Sequence, residues 1–187
     1  LAFIIPICIF WMVLISAKVY PFGEKSILVS DLSNEYIDYL SWYKNMLIGK
    51  HSFVYSWNFG MGMNMFSTIF FYLSSPLNLL ILIPFFEIQD IVLIITLLKI
   101  GLCGLTCNFY LSKRFNLNNN ESLVFSTCYA LMSFNICYIQ HIMWFDGVIL
   151  LPVLIFYLDE FIEKNKKWGL ILTLIISLYS NFYISYM

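Results

Sequence analysis

The stretch DIVLIITLLKIGLCGLTCNFYLS, residues 90–112, decides the fold because it is long and apolar enough to cross a lipid bilayer. A membrane-spanning helix needs about 20 consecutive, mostly apolar residues. Other apolar runs predict further spans at about 1–20, 121–140, 147–163 and 168–187. We therefore predict an all-α polytopic membrane protein with a single transmembrane domain.

The composition points to the same class. Of the 187 residues 61% are hydrophobic and 11% are charged, whereas about 25% of an average soluble domain is charged. The net charge of −1 provides no basic face for phosphates, so we expect no nucleic-acid partner. The five cysteines lie in apolar runs and are expected to pack as small hydrophobes. Since the chain starts and stops within apolar runs, we expect it to be part of a longer protein.

Two basic clusters predict which side of the membrane each loop faces. One follows the 90–112 span and the other follows the 147–163 span, so two crossings separate them and they share a side. The positive-inside rule makes that side cytoplasmic. The loop QHIMWFD at 140–146 is then extracellular. The clusters consist of Lys113 and Arg114, and of Lys164, Lys166 and Lys167.

The segment IFFYLSSPLNLLILIPFF, residues 69–86, has two possible placements. It is just long enough to cross, but two serines, a proline and an asparagine interrupt it between 74 and 78. If it crosses, residues 21–68 face the cytoplasm. If it is re-entrant or interfacial, residues 21–89 form one long outer loop. We prefer the second placement, because irregular backbone at membrane depth is tolerated where protein buries it.

An amphipathic helix is predicted in this outer loop, at residues 31–47. Asp31, Glu35 and Asp38 are spaced at i, i+4 and i+7 and share one face. We expect the helix to lie along the outer interface with its aromatic residues at headgroup level. The local pattern alone favours a helix cap for Asp31 and a solvated face for Glu35 and Asp38. The wheel adds Trp42 and Asn45 to the acidic side and places opposite them Leu32, Tyr36, Tyr39, Leu40, Tyr43 and Leu47.

His141, Trp144 and Asp146 form a second candidate group in the loop 140–146. A histidine and an aspartate at a membrane face suit a carrier phosphate, sugar hydroxyls or a metal. The alternative is an interfacial turn in which Trp144 anchors and Asp146 caps the following helix. A divalent cation would need further ligands, with Asp31 and Glu35 as the candidates, and we leave the cofactor open.

Lys99 lies near the middle of the 90–112 span, where an ionisable group is a functional hypothesis by default. We expect no carboxylate of this chain at the same depth, because Asp90 and Asp146 are placed near the outer end. Its expected partner is then the phosphate of a lipid carrier or a group elsewhere in the protein. The alternative is a lysine that snorkels along its own stem.

Several motifs occur in an order that resembles the YfhO family of bacterial membrane proteins. The resemblance covers essentially the whole sequence, and it lies in the joint order of the motifs. In chain order they are SDLSNEY at 30–36, SWNFGMGMN at 56–64, FYLSSPLNLL at 71–80, LLKIGLCGLTCNFYL at 97–111, QHIMWFDGVILLP at 140–152 and SNFYISYM at 180–187.

The resemblance implies a GT-C-type glycosyltransferase, a class that transfers a sugar from a polyprenyl-phosphate carrier on the outer side of the membrane. It implies a GT-C-like helical bundle with a long first outer loop, and a cell-envelope acceptor such as lipoteichoic acid. The characteristic acid of such enzymes follows the first span, which is the position of Asp31. Asp31 would be the base that deprotonates the acceptor hydroxyl. Glu35, His141, Trp144 and Asp146 would bind substrate, and Lys99 would contact the phosphate.

A transporter or flippase for a lipid-linked sugar is the main alternative, because an intramembrane lysine and a broken helix fit it too. A transferase requires Asp31 at an outer-face cavity near His141, whereas a transporter would gather its polar groups around Lys99. A non-catalytic envelope assembly factor is a third interpretation.

Overall fold

The computed structural model describes residues 1–115 and 117–186, which form a mostly helical bundle. Its α-helices are α1 (Ile4–Ala17), α2 (Ile37–Leu47), α3 (Met65–Thr68), α4 (Ile88–Arg114), α5 (Asn119–Ala130), α6 (Ser133–Cys137), α7 (Phe145–Lys164), α8 (Lys167–Ser180) and α9 (Phe182–Tyr186). A π-helical turn, Leu32–Tyr36, leads into α2, and a second, Ile69–Leu73, follows α3. A 3-10 helix, Pro76–Leu82, precedes α4, and the strands β1 (Tyr55–Ser56) and β2 (Met63–Asn64) form a short antiparallel hairpin.

Helix α4 is the centre of the bundle. Of the described helices it alone is long and apolar enough to cross a membrane, and the bent pair Met65–Leu73 and Pro76–Leu82 would add a second span if it is one unit. A reciprocal capping box between Glu87 and Asp90 satisfies the backbone at its N-terminus. We name its two ends the Ile88 end and the Arg114 end.

Helix α1 runs antiparallel to α4. A side chain at Gly104 would collide with the backbone carbonyl of Ala2, so the glycine permits close contact near the start of α1. At the other end of α1 the Tyr20 hydroxyl donates a hydrogen bond to Asp90. The chain therefore leaves α1 and enters α4 at the same end, the Ile88 end.

Helix α7 lies beside α4 and points in the same direction. Lys99 pairs with Asp146 near the start of α7, and Arg114 pairs with Asp159 and Glu163 near its end. The two basic clusters that end α4 and α7 thus lie at one end of the bundle, as the argument from two crossings requires. Which side of a membrane that end faces stays a prediction.

Residues 21–87 pack on the half of α4 nearest the Ile88 end. One core cluster contains residues of the 31–47 helix (Leu32, Tyr36, Leu40, Trp42, Tyr43), of the 65–82 region (Met65, Ile69, Leu73, Ile81) and of α4 (Ile91, Val92, Ile95). The apolar face of the 31–47 helix is therefore turned toward protein, where we expected it to lie at the headgroup level of a membrane.

The wheel prediction for Trp42 is wrong, because its side chain is buried in this cluster. The reason is the π-helical turn at Leu32–Tyr36, whose i→i+5 hydrogen bonds change the rotation per residue. A wheel drawn with a constant α-helical step misplaces the residues that follow such a turn. Asp38 remains exposed, as a solvated residue would.

The segment 69–86 is bent by 103° between Leu73 and Pro76. Because α1 ends and α4 begins at the same end of the bundle, a single crossing between them is not consistent with this packing. The geometry favours the re-entrant placement, although the position relative to a membrane stays a prediction.

Two predicted spans are interrupted in the structure. The region 121–140 is divided into α5 and α6, and the region 168–187 into α8 and α9. Buried asparagines lie near both breaks: the Asn135 amide donates to the carbonyls of Tyr129 and Ala130, and the Asn181 amide donates to those of Phe71 and Met143. The Asn135 amide thus bonds carbonyls at the end of α5 that a continuous helix would otherwise satisfy, whereas the Asn181 amide ties the α8–α9 break to two other segments.

Candidate functional site

A pocket of about 200 Å³ lies where the start of the 31–47 helix meets the turn that precedes α7. We call it the acidic pocket. Its polar lining consists of Asp31, Glu35 and His141, and its aromatic lining includes Tyr36, Phe71, Tyr72, Trp144 and Tyr183. These residues come from four regions of the sequence that the fold brings together.

Asp31 and His141 face each other in the acidic pocket. An oxygen of the Asp31 carboxylate lies 3.8 Å from Nδ1 of His141. The Asp31 side chain is 48% exposed and that of His141 16% exposed. A carboxylate at this position is both accessible to a ligand and next to an imidazole ring. The proximity is the one that the transferase interpretation requires.

Asp31 does not act as the helix cap. The turn before it is made by Ser30, which has a φ of +50°, and the Ser30 carbonyl accepts the backbone N–H groups of Ser33 and Asn34. In the described chain the Asp31 carboxylate accepts no hydrogen bond from the following backbone. The capping interpretation is therefore wrong, and the carboxylate is available to the pocket.

Glu35 lies one turn after Asp31 on the same side of the helix. Its carboxylate accepts a hydrogen bond from the Tyr72 hydroxyl at 3.4 Å. Asp38 is not among the residues that line the pocket. Two of the three acids in the sequence pattern thus face the site, and the third faces solvent.

Aromatic rings enclose the pocket on the opposite side. The imidazole of His141 stacks on Trp144, with ring centroids 4.3 Å apart and planes 23° apart. The rings of Tyr36 and Tyr72 meet edge to face at 5.3 Å. The Tyr36 hydroxyl and the Trp144 indole N–H are buried and have no hydrogen-bond partner among the described residues. Both donors belong to residues that line the pocket but lie behind its surface in the free protein.

The contribution of Tyr36 was not predicted, because the wheel assigned it to the apolar face. It is buried, and that burial, reinforced by the nearby Tyr72, Asp31 and Glu35, raises the pKa of its hydroxyl well above the ordinary value. The hydroxyl therefore stays protonated at physiological pH and keeps its donor. Its position beside Glu35 in the sequence was the available signal, but only the π-helical turn brings it to the pocket.

Lys99 has a carboxylate partner, contrary to our prediction. Its ammonium group lies 2.7 Å from Asp146, and the two side chains are 1% and 9% exposed. Asp146 is in the first turn of α7 and is not its cap. We misplaced it because α5 is only 12 residues long, so that α7 begins beside the middle of α4. With both groups paired and buried, neither lines the acidic pocket, and their predicted substrate contacts remain without support from the geometry.

The profile of the family described as Bacterial membrane protein YfhO matches residues 2–187. The chain belongs to the YfhO family. The predicted resemblance is thereby confirmed, and so is the prediction of a bacterial membrane protein. No curated protein and no solved structure matches the chain. The multi-pass topology and the extracellular orientation of this YfhO family member stay predictions.

Neither a disulfide nor a metal cluster is found among the described residues. All five cysteines are free, and Cys103 and Cys107 are buried in α4. Within residues 1–115 and 117–186 no three His, Cys, Asp or Glu side chains are grouped closely enough to hold a metal ion. The four ligands considered from the sequence are split, since Asp146 is held by Lys99 away from Asp31, Glu35 and His141.

Proposed function

We propose that this YfhO family member is a membrane glycosyltransferase that moves a sugar from a polyprenyl-phosphate carrier to a cell-envelope acceptor such as lipoteichoic acid. The transfer takes place at the extracellular face of the cell membrane. The observation that carries the proposal is the convergence of Asp31 and His141 in a small aromatic pocket. The family membership and the position of Asp31 after the first helix support it.

Asp31 is the catalytic base in this proposal. Its carboxylate accepts the proton of the acceptor hydroxyl while the hydroxyl oxygen attacks the anomeric carbon of the sugar. The bond from that carbon to the carrier phosphate breaks, and the carrier leaves as polyprenyl phosphate. His141 Nδ1 lies 3.8 Å from the carboxylate, beyond hydrogen-bond distance in the free protein, and orients the carboxylate when the two approach each other in the complex.

The remaining pocket groups suit a sugar ring. Glu35 accepts hydrogen bonds from hydroxyls. The Tyr36 hydroxyl and the Trp144 indole N–H have no partner among the described residues, and a small rotation of either side chain lets it donate to the sugar. The pocket volume is about 200 Å³. Pockets for drug-sized ligands measure about 300–1,000 Å³, so the smaller volume suits a single sugar ring.

The transporter alternative is less well supported. It requires polar groups gathered around Lys99 and open to a solute, whereas Lys99 is 1% exposed and bonded to Asp146 and to the Ile142 carbonyl. The accessible acids gather instead around His141, as a transferase requires.

Asp31→Asn in the complete protein tests the proposal in the cell. We expect envelope glycosylation to fall by about 100-fold or more, since a positioned general base contributes about 10²–10⁴-fold. Asp38→Asn is the matched control, because it removes the same charge from the same helix at a solvent-facing position. Both variants should reach the membrane at the normal level. Normal glycosylation in the Asp31 variant would refute its role as base.

A further inference from the structure

The buried ion pair between Lys99 and Asp146 is directly connected to the acidic pocket. The Lys99 ammonium group donates to the backbone carbonyl of Ile142 at 2.8 Å and to the Asp146 carboxylate at 2.7 Å. Ile142 is the residue next to His141. The lysine therefore attaches the turn that carries His141 and Trp144 to the middle of α4 at two points.

The second oxygen of Asp146 extends this connection to the opposite wall. It accepts a hydrogen bond from the Ser75 hydroxyl at 2.9 Å, and Ser75 is 2% exposed. Ser75 follows the π-helical turn that carries Phe71 and Tyr72. The Asp146 carboxylate thus joins the start of α7 to α4 and to the segment with Tyr72.

Asn181, between α8 and α9, joins two further segments that line the pocket. Its amide donates to the carbonyls of Phe71 at 3.0 Å and Met143 at 3.4 Å, and the residue is 1% exposed. Nearby, the Ser74 hydroxyl donates to the Ser180 carbonyl at 2.9 Å. The segments behind His141, Tyr72 and Tyr183 are therefore fixed to one another by buried polar contacts.

A buried ion pair is an expensive way to gain stability alone, because desolvation of the two charges offsets much of their attraction. Apolar side chains of the same volume would fill the α4–α7 contact at least as well. Apolar side chains could not bond the Ile142 carbonyl or the Ser75 hydroxyl. These directed bonds fix the positions of two walls of the acidic pocket.

We propose that Lys99 and Asp146 are positioning residues of the acidic pocket: their ion pair holds the turn with His141 and Trp144 against Asp31, and it does not bind the substrate. The consequence for catalysis rests on the proposed glycosyl transfer. The ordering of the turn does not, and it is measured separately.

Hydrogen–deuterium exchange of the purified complete protein measures that ordering. Lys99→Met alone would leave the buried Asp146 charge unpaired. The decisive variant therefore combines Lys99→Met with Asp146→Asn, which removes both charges and keeps the side-chain shapes. We expect it to unfold at nearly the wild-type temperature, while exchange in residues 138–146 rises by roughly tenfold or more through loss of the charged hydrogen bonds. Envelope glycosylation should fall with it.

Arg114→Met is the control, since it removes the ion pairs of Arg114 with Asp159 and Glu163 at the far end of α7 and should leave exchange in 138–146 unchanged. Wild-type exchange in the double variant would overturn the proposal. So would wild-type glycosylation with a disordered turn. If Asp31→Asn still glycosylates while the double variant shows the raised exchange, the proposed function fails and the positioning of the turn stands.

Discussion

The Tyr36 hydroxyl shows how a single residue contributes to the pocket in a way that the sequence pattern conceals. It is fully buried, it has no hydrogen-bond partner among the described residues, and it lies on a helix whose first turn is π-helical. A buried donor without a partner normally costs stability. Such a group is explained if a ligand supplies the acceptor after a small movement of the ring, because the hydroxyl is not exposed to the pocket of the free protein.

Tyr36→Phe separates the two roles of this residue. We expect unchanged or slightly increased thermal stability, because no hydrogen bond of the free protein is lost. We expect the apparent affinity for the sugar donor to weaken by roughly two- to tenfold, corresponding to about 0.5–1.5 kcal/mol for one hydrogen bond. The contrasting control is Tyr129→Phe, which removes a bond to the Val148 carbonyl and should lower stability without affecting affinity. An unchanged affinity in Tyr36→Phe would show that the hydroxyl does not contact the substrate.

At the scale of elements, the helices were predictable where the apolar runs are uninterrupted, as in α4 and α7. The breaks in the 121–140 and 168–187 runs were not predictable, because buried asparagines lie near them where glycine or proline would have marked a helix end. The sequence did not predict that Asp31 and His141 lie close together. It showed only that the transferase interpretation requires them to. The Lys99–Asp146 pair was missed, because its register depends on how short α5 is.

Asn135→Ala tests the asparagine near the α5 break. The substitution leaves the carbonyls of Tyr129 and Ala130 without their buried donor, so we expect a loss of about 1–3 kcal/mol in the free energy of unfolding. Denaturant unfolding of the purified protein measures it, with the exposed Asn120→Ala as control. Equal stability of the two variants would mean that the amide does not support the break.

At the scale of the whole molecule, the bundle has two chemically different ends. The Arg114 end carries the basic clusters, whereas residues 21–87 pack at the Ile88 end. The acidic pocket is formed by the packing of those residues against the turn before α7. A membrane protein with positive-inside orientation would therefore expose the residues 21–87 to the outside.

Cysteine labelling of intact cells tests this orientation. In a background without the native cysteines, Met61→Cys should react with a membrane-impermeant maleimide, because Met61 is 96% exposed on the hairpin loop. Lys166→Cys, at the Arg114 end, should react only after the cells are opened. The reverse pattern would place the acidic pocket on the cytoplasmic side and exclude transfer to an extracellular acceptor.

In the proposed function, the acidic pocket transfers a sugar with Asp31 as base. The most direct measurement is the release of polyprenyl phosphate from a radiolabelled polyprenyl-phosphate sugar by the purified complete protein in liposomes that contain the acceptor. We predict transfer by the wild type and by Asp38→Asn, and a loss of about 100-fold or more in Asp31→Asn. Equal transfer by the wild type and Asp31→Asn would contradict the account.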